Sequence, residues 1–159
     1  MSRQGDQMKP LRTATALLVL AGSAAQAATL ELGLYQTVTA NGTVTLRKVD
    51  TTLPGQTLRQ VAIARTDKTL KSPRATILVP AHTTYAGQLN LPKGATAAFS
   101  LDGKTFAATP MKTVQVIEHG RTVTKQVPAP ESEYRAVQVT LPQMQLNTPY
   151  TVAYDIKVD

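Results

Sequence analysis

From residue 28 onward, apolar and polar side chains alternate along most of the chain with a period of two, the spacing of half-buried β-strands. Leu30, Leu32 and Leu34 alternate with Glu31, Gly33 and Tyr35, and Val44 and Leu46 alternate with polar residues on a return strand over 43–49. Asn41-Gly42 lies between them, and that pair favours a two-residue hairpin because both residues tolerate positive φ. A strand is predicted over 58–65 with Val61 and Ile63 as the inward pair. Another is predicted over 74–79, where the Ile77-Leu78-Val79 run suggests a central, well-buried position ended by Pro80. Residues 97–101 and 104–106 are predicted to pair across Asp102-Gly103, a second hairpin of the same turn type. Residues 113–117 and 122–127 flank Glu118-His119-Gly120-Arg121 as a third hairpin. The last two strands fall at 134–141 and 150–158. In the final one Tyr150, Val152, Tyr154, Ile156 and Val158 all point one way.

Loops separate these runs. Pro54-Gly55 closes one over 50–56, Pro128-Ala129-Pro130 forms a stiff linker, and residues 81–95 form a longer crossing loop with a short strand near Leu89-Leu91. Nine or so short strands at regular spacing, with no convincing helix and no tandem repeat, predict an all-β fold. The expected architecture is an antiparallel, immunoglobulin-like β-sandwich of about seven to nine strands, with a closed barrel as the alternative.

The first 27 residues break this pattern. Arg3, Lys9 and Arg12 precede an uncharged run from Thr13 centred on Leu17-Leu18-Val19-Leu20, and Ala25-Gln26-Ala27 follows with small residues at the first and third positions. That arrangement reads as a cleaved signal peptide, 1–27, ahead of one domain, 28–159. The apolar run is too short to span about 30 Å of hydrocarbon, so no transmembrane anchor is expected. The protein is expected to be exported to the periplasm, envelope or surface of a bacterium, with peripheral membrane association open to it.

The chain contains no cysteine. That rules out disulfides, thiolate metal sites, cysteine nucleophiles and a lipid-modified N-terminal cysteine, so stability must come from packing of the β core. Residues 28–159 keep 14 of the 17 Lys and Arg and 9 of the 10 Asp and Glu, a net charge of +5. The charges are scattered singly, which favours contact with acidic polymers or lipid head groups but forms no nucleic-acid stripe. Five Tyr, two Phe and no Trp offer little surface for stacking bases or sugars.

No Gly-rich phosphate loop or nucleophile elbow is present, and Ser72, Ser100 and Ser132 lie outside such motifs. Glu131 and Glu133 read as solvated linker charges. His82 and His119 are the two histidines, and each has a plain loop or turn reading. Together with Met111, and Met144 more distantly, they form the imidazole and thioether set that suits copper. No catalytic residue is assigned.

Several turn motifs resemble a bacterial surface module. Leu53-Pro54-Gly55-Gln56-Thr57 and Val79-Pro80-Ala81-His82-Thr83-Thr84-Tyr85 are similar to it, as are Ser100-Leu101-Asp102-Gly103-Lys104-Thr105-Phe106 and Leu141-Pro142 ahead of Tyr150-Thr151-Val152. That module is the conserved repeat domain of bacterial cell-envelope proteins, a domain of unknown function with an immunoglobulin-like fold. The resemblance covers about residues 53–158 and leaves the 30–49 hairpin as an added element. It implies a fold more strongly than an activity. Members usually occur in arrays and this chain carries one copy. The expectation is therefore a non-catalytic interaction or structural module, an accessory subunit whose partner is an envelope protein complex or cell-surface polymer, with no cofactor. Strand edges and the 81–95 loop would make its contacts. The alternative is a copper-binding redox protein of the superoxide dismutase type using His82 and His119, although that family's His-x-His pair and four-histidine cage are missing.

Overall fold

A computed structural model describes residues 28–159 and the backbone of Ala16–Leu17. The remainder of the expected signal peptide, including the Ala25-Gln26-Ala27 site, lies outside the described residues. The described chain is all-β and antiparallel, two sheets packed face to face with a separate hairpin. Eleven strands follow in order: β1 (Ala16–Leu17), β2 (Ala28–Ala40), β3 (Thr43–Lys48), β4 (Thr57–Thr66), β5 (Arg74–Leu78) and β6 (Thr83–Tyr85). The rest are β7 (Thr96–Ser100), β8 (Met111–Glu118), β9 (Arg121–Pro128), β10 (Ala136–Thr140) and β11 (Tyr150–Val158). One sheet runs β1-β5-β10-β7, the other β3-β2-β4-β11-β6, and β8-β9 stands by itself. Among the described residues no helix is long and apolar enough to cross a membrane.

Turn chemistry sets two of the hairpins as expected. Asn41 and Gly42 have φ of 50° and 76°, and His119 and Gly120 have 51° and 74°, the double left-handed geometry that matches the twist of the flanking strands. Asp102-Gly103 does otherwise. Of that pair only Gly103 takes a positive φ, and β7 meets the following segment through the single bridge Phe99↔Ala107. The Asp102 side chain explains the departure. Its Oδ1 accepts the backbone N–H groups of Lys104 and Thr105, each at 2.8 Å, and the Ser100 hydroxyl at 2.8 Å. Those bonds wrap the chain into a wider loop.

The core lies between the two sheets. From β11 come Val152, Tyr154, Ile156 and Val158, the inward face read from the sequence. On β4 the expected face is reversed. Leu58, Gln60, Ala62 and Ala64 are buried, whereas Val61 and Ile63 lie half-buried on the other face. Register decides this: Ala64, Ala62 and Gln60 pair with Leu30, Leu32 and Leu34 of β2, which pack on the core. The small alanines let the facing sheet approach closely, and a one-residue slip would turn every side chain to the wrong face. β5 is well buried through Ala75, Thr76 and Ile77 and lies inside its sheet, between β10 on one side and the short β1 on the other.

Four of the seven aromatic side chains pin one end of the sandwich. Phe99 and Tyr134 stack with centroids 4.6 Å apart, and Tyr85 lies 5.3 to 5.7 Å from Tyr154, Tyr134 and Phe99. These rings come from both sheets, so the cluster joins the layers through edge and offset contacts. Gln60 is the polar intruder in the core, 1% exposed. Its Nε2 donates a long 3.4 Å bond to the Leu78 carbonyl, which the Tyr154 hydroxyl also reaches, and its Oε1 meets no protein donor. An unmatched buried acceptor costs about 1–3 kcal/mol. Gln60→Met keeps the volume, leaves Tyr154 on the Leu78 carbonyl and should raise stability by about 1 kcal/mol in urea unfolding. A lower midpoint would show that the amide contributes more than its packing.

Candidate functional site

Two hairpin arms carry most of the large apolar side chains left in solvent. The first is the distal half of β2 with β3. β2 is 13 residues long, and only its first eight pair with β4; residues 35–40 pair with β3. Every β3 residue is exposed, with Val44 at 64% and Leu46 at 47%. The N–H of Val49 donates to the Leu34 carbonyl, so alternation turns the backbone groups of Thr43, Thr45 and Arg47 toward β2. Those of Val44, Leu46 and Lys48 face outward as an open edge. Arg47 and Lys48 at its end are the charges with which edge strands discourage indiscriminate pairing. Beneath this arm the 49–56 loop encloses an open cleft of about 560 Å³, lined in part by Gln36, Arg47, Lys48, Asp50, Thr51 and Thr52.

The second arm is β8-β9. It leaves the sandwich after Pro110, whose carbonyl accepts the Ala129 N–H, and carries both strands away from the core. Lys112 is ion-paired with Glu133 at its base, and Lys125 with Glu118 near its tip. Val114 and Val116 share a face with Val123 and Val127, while Ile117 beside the tip is 79% exposed. Isolated two-stranded ribbons are marginal in water, so cross-strand valines and ion pairs have to hold this one.

The groups considered for chemistry are dispersed. Met111 opens β8 and His119 follows its end, roughly 25 Å along an extended strand. The two cannot bind one ion, and the expected set of His82, His119 and Met111 fails at that pair. His82 takes a φ of 61° in the turn before β6, and its carbonyl accepts the Asp159 N–H. Met144 is buried in the core, where its backbone pairs with Leu70. Among the described residues no three His, Cys, Asp or Glu side chains group as a metal site. The 81–95 loop, expected to make contacts, is held against β11 by its own backbone. Thr83–Tyr85 is the edge strand β6 on β11, and Asn90 bridges Ala153. Glu133 is an ion-pair partner, and Glu131 lies beside the aromatic cluster, where its carboxylate adds to the upward pull of burial on the Tyr85 hydroxyl.

Asp102 shows the most settled electrostatics on the surface. The N–H groups of Thr105 and Lys104 and the Ser100 hydroxyl hold its carboxyl well below the usual carboxylate range. A lowered folded-state pKa means that the loop gains from ionised Asp102 at neutral pH and loses this as pH falls below about 4, the ordinary value. Amide exchange at Lys104 and Thr105 should accelerate in Asp102→Ala at neutral pH. Unchanged exchange there would mean that the backbone holds the loop unaided.

The sequence signalled the arms through their turns but not their isolation from the core. Comparison of the chain with family models, with curated proteins and with solved structures found no match.

Proposed function

We infer that this protein is a non-catalytic interaction module, exported and held as an accessory subunit of a bacterial envelope assembly. The observation that carries the reading is the concentration of Val44, Leu46, Met111 and Ile117 on two arms outside the core. Side chains in such positions contribute nothing to packing of the sandwich, and exposed apolar groups on extended strands suit burial against another protein. Export rests on the basic, apolar and small-residue order of the first 27 residues, and the envelope setting on the resemblance of the turn motifs to the repeat module. A scattered positive charge would speed encounter with acidic partners.

Cross-linking in native membranes tests the reading. The unsubstituted chain should capture a reproducible envelope protein, and Val44→Asp with Leu46→Asp, or Ile117→Asp, should reduce that capture about tenfold while the fold persists. Capture that is identical in all three chains would overturn it.

A further inference from the structure

The sandwich is one strand short on one side. Across the core, Tyr85 of β6 touches Phe99 of β7, and Gln60 of β4 reaches the Leu78 carbonyl of β5. The layers therefore align β6 over β7, β11 over β10 and β4 over β5. The next strand of the larger sheet is β2, whose Leu30, Leu32 and Leu34 point to the core side yet remain only partly buried. Within residues 28–159 nothing in the smaller sheet lies opposite them. Among the described residues the strand in that position is β1, antiparallel to β5 with Ala16↔Ile77 and Leu17↔Thr76. It is two residues long.

The edge of β5 is suited to a partner. Leu141 donates its N–H to the Pro73 carbonyl and Val79 donates to that of Arg135, so alternation directs Ala75 and Ile77 at β10. The backbone groups of Arg74 and Thr76 then point away from β10, into the place β1 takes. An open row of backbone donors and acceptors beside a floor of three leucines recognises an extended chain with apolar residues at alternate positions.

We propose that the edge of β5 and Leu30, Leu32 and Leu34 of β2 form a strand-acceptor groove that takes an extended apolar strand from a partner protein. Ala16–Leu17 occupies the groove within the precursor, and loss of the signal peptide opens it. This rests on the reading of the chain as an exported interaction module and names the chemistry of its partner. Backbone pairing supplies affinity, and the leucines select apolar side chains on one face of the incoming strand. About five residues at roughly 3.3 Å each cover the length from Leu30 to Leu34.

The test uses residues 28–159, which contain every core side chain named above, and a synthetic peptide of residues 13–22, Thr-Ala-Thr-Ala-Leu-Leu-Val-Leu-Ala-Gly. Adding the peptide should slow amide exchange at Thr76 about tenfold and raise the melting temperature, and a peptide carrying Leu18→Asp and Leu20→Asp, the positions in the same alternation as Ala16 opposite the core residue Ile77, should do neither. Thr76→Pro removes the outward donor, along with the hydroxyl that accepts from Gln138 Nε2 at 3.3 Å, at a place where an edge strand tolerates proline, so it should fold and lose the response. Leu32→Asn should weaken the response through the floor. A peptide that leaves Thr76 exchange unchanged, or protects Thr76→Pro equally at its neighbours Ala75 and Ile77, overturns the proposal. The two readings fail separately. Membrane capture lost with Val44→Asp but indifferent to Thr76→Pro keeps the module and removes the groove. Peptide protection without any envelope capture keeps the groove and removes the module.

Discussion

Tyr154→Ala is expected to cost about 3–5 kcal/mol, the range for emptying a fully buried aromatic site. Tyr154 is 1% exposed, packs against Tyr85 at 5.3 Å and donates from its hydroxyl to the Leu78 carbonyl across the core. Removing it leaves a void where both sheets contribute rings, and Tyr85 cannot fill that space without leaving Tyr134 and Phe99. Urea unfolding should show a much lower midpoint with an unchanged slope, which separates lost stability from a change in the unfolded chain. Tyr154→Phe should lose far less, since Gln60 still donates to that carbonyl. A loss of under about 1 kcal/mol for the alanine variant would mean that the cluster does not hold the layers together.

The same cluster should make the protein alkali-sensitive. Burial, helped by the Glu131 carboxylate, pushes the Tyr85 hydroxyl up to about 12. Burial and the neighbouring Tyr85 push Tyr154 higher, and burial raises Tyr134 as well. All three are raised in the folded state, so the unfolded chain releases their protons first. Their contribution is complete below about pH 10, the ordinary tyrosine value, and is lost as pH climbs through the folded values. Unfolding free energy should hold level up to about pH 10 and decline steeply by pH 12. Absorbance near 295 nm should show tyrosines that ionise only as the fold is lost. Tyr85→Phe should remove part of the decline. A flat profile across that range would place these hydroxyls in contact with water.

Much of the fold was legible because strands announce themselves locally. The inward face of β11 follows from five alternating side chains, and two hairpins follow from Asn41-Gly42 and His119-Gly120. Where a side chain could compete with the backbone, local reading failed. Asp102 gathered three donors and widened a turn whose dipeptide resembles the other two. On β4 hydropathy points to the wrong face, because Val61 and Ile63 are more apolar than Ala62 and Ala64. Burial there follows from pairing with β2 and from the room available under the facing sheet, not from hydropathy. The candidate metal set had the right residue types, but a strand's length separates Met111 from His119.

Composition and periodicity alone determined an all-β chain without cysteine, its turns and the segments that become strands, because these depend on neighbours a few residues away. Only the tertiary structure decided which strands lie at an edge, which hairpins stand outside the core and where a layer is left incomplete. Those outcomes depend on pairings between residues many positions apart, such as Leu32 with Ala62 and Val139 with Ala75. Sheet order is set by how the two layers share one interior, and no dipeptide encodes that.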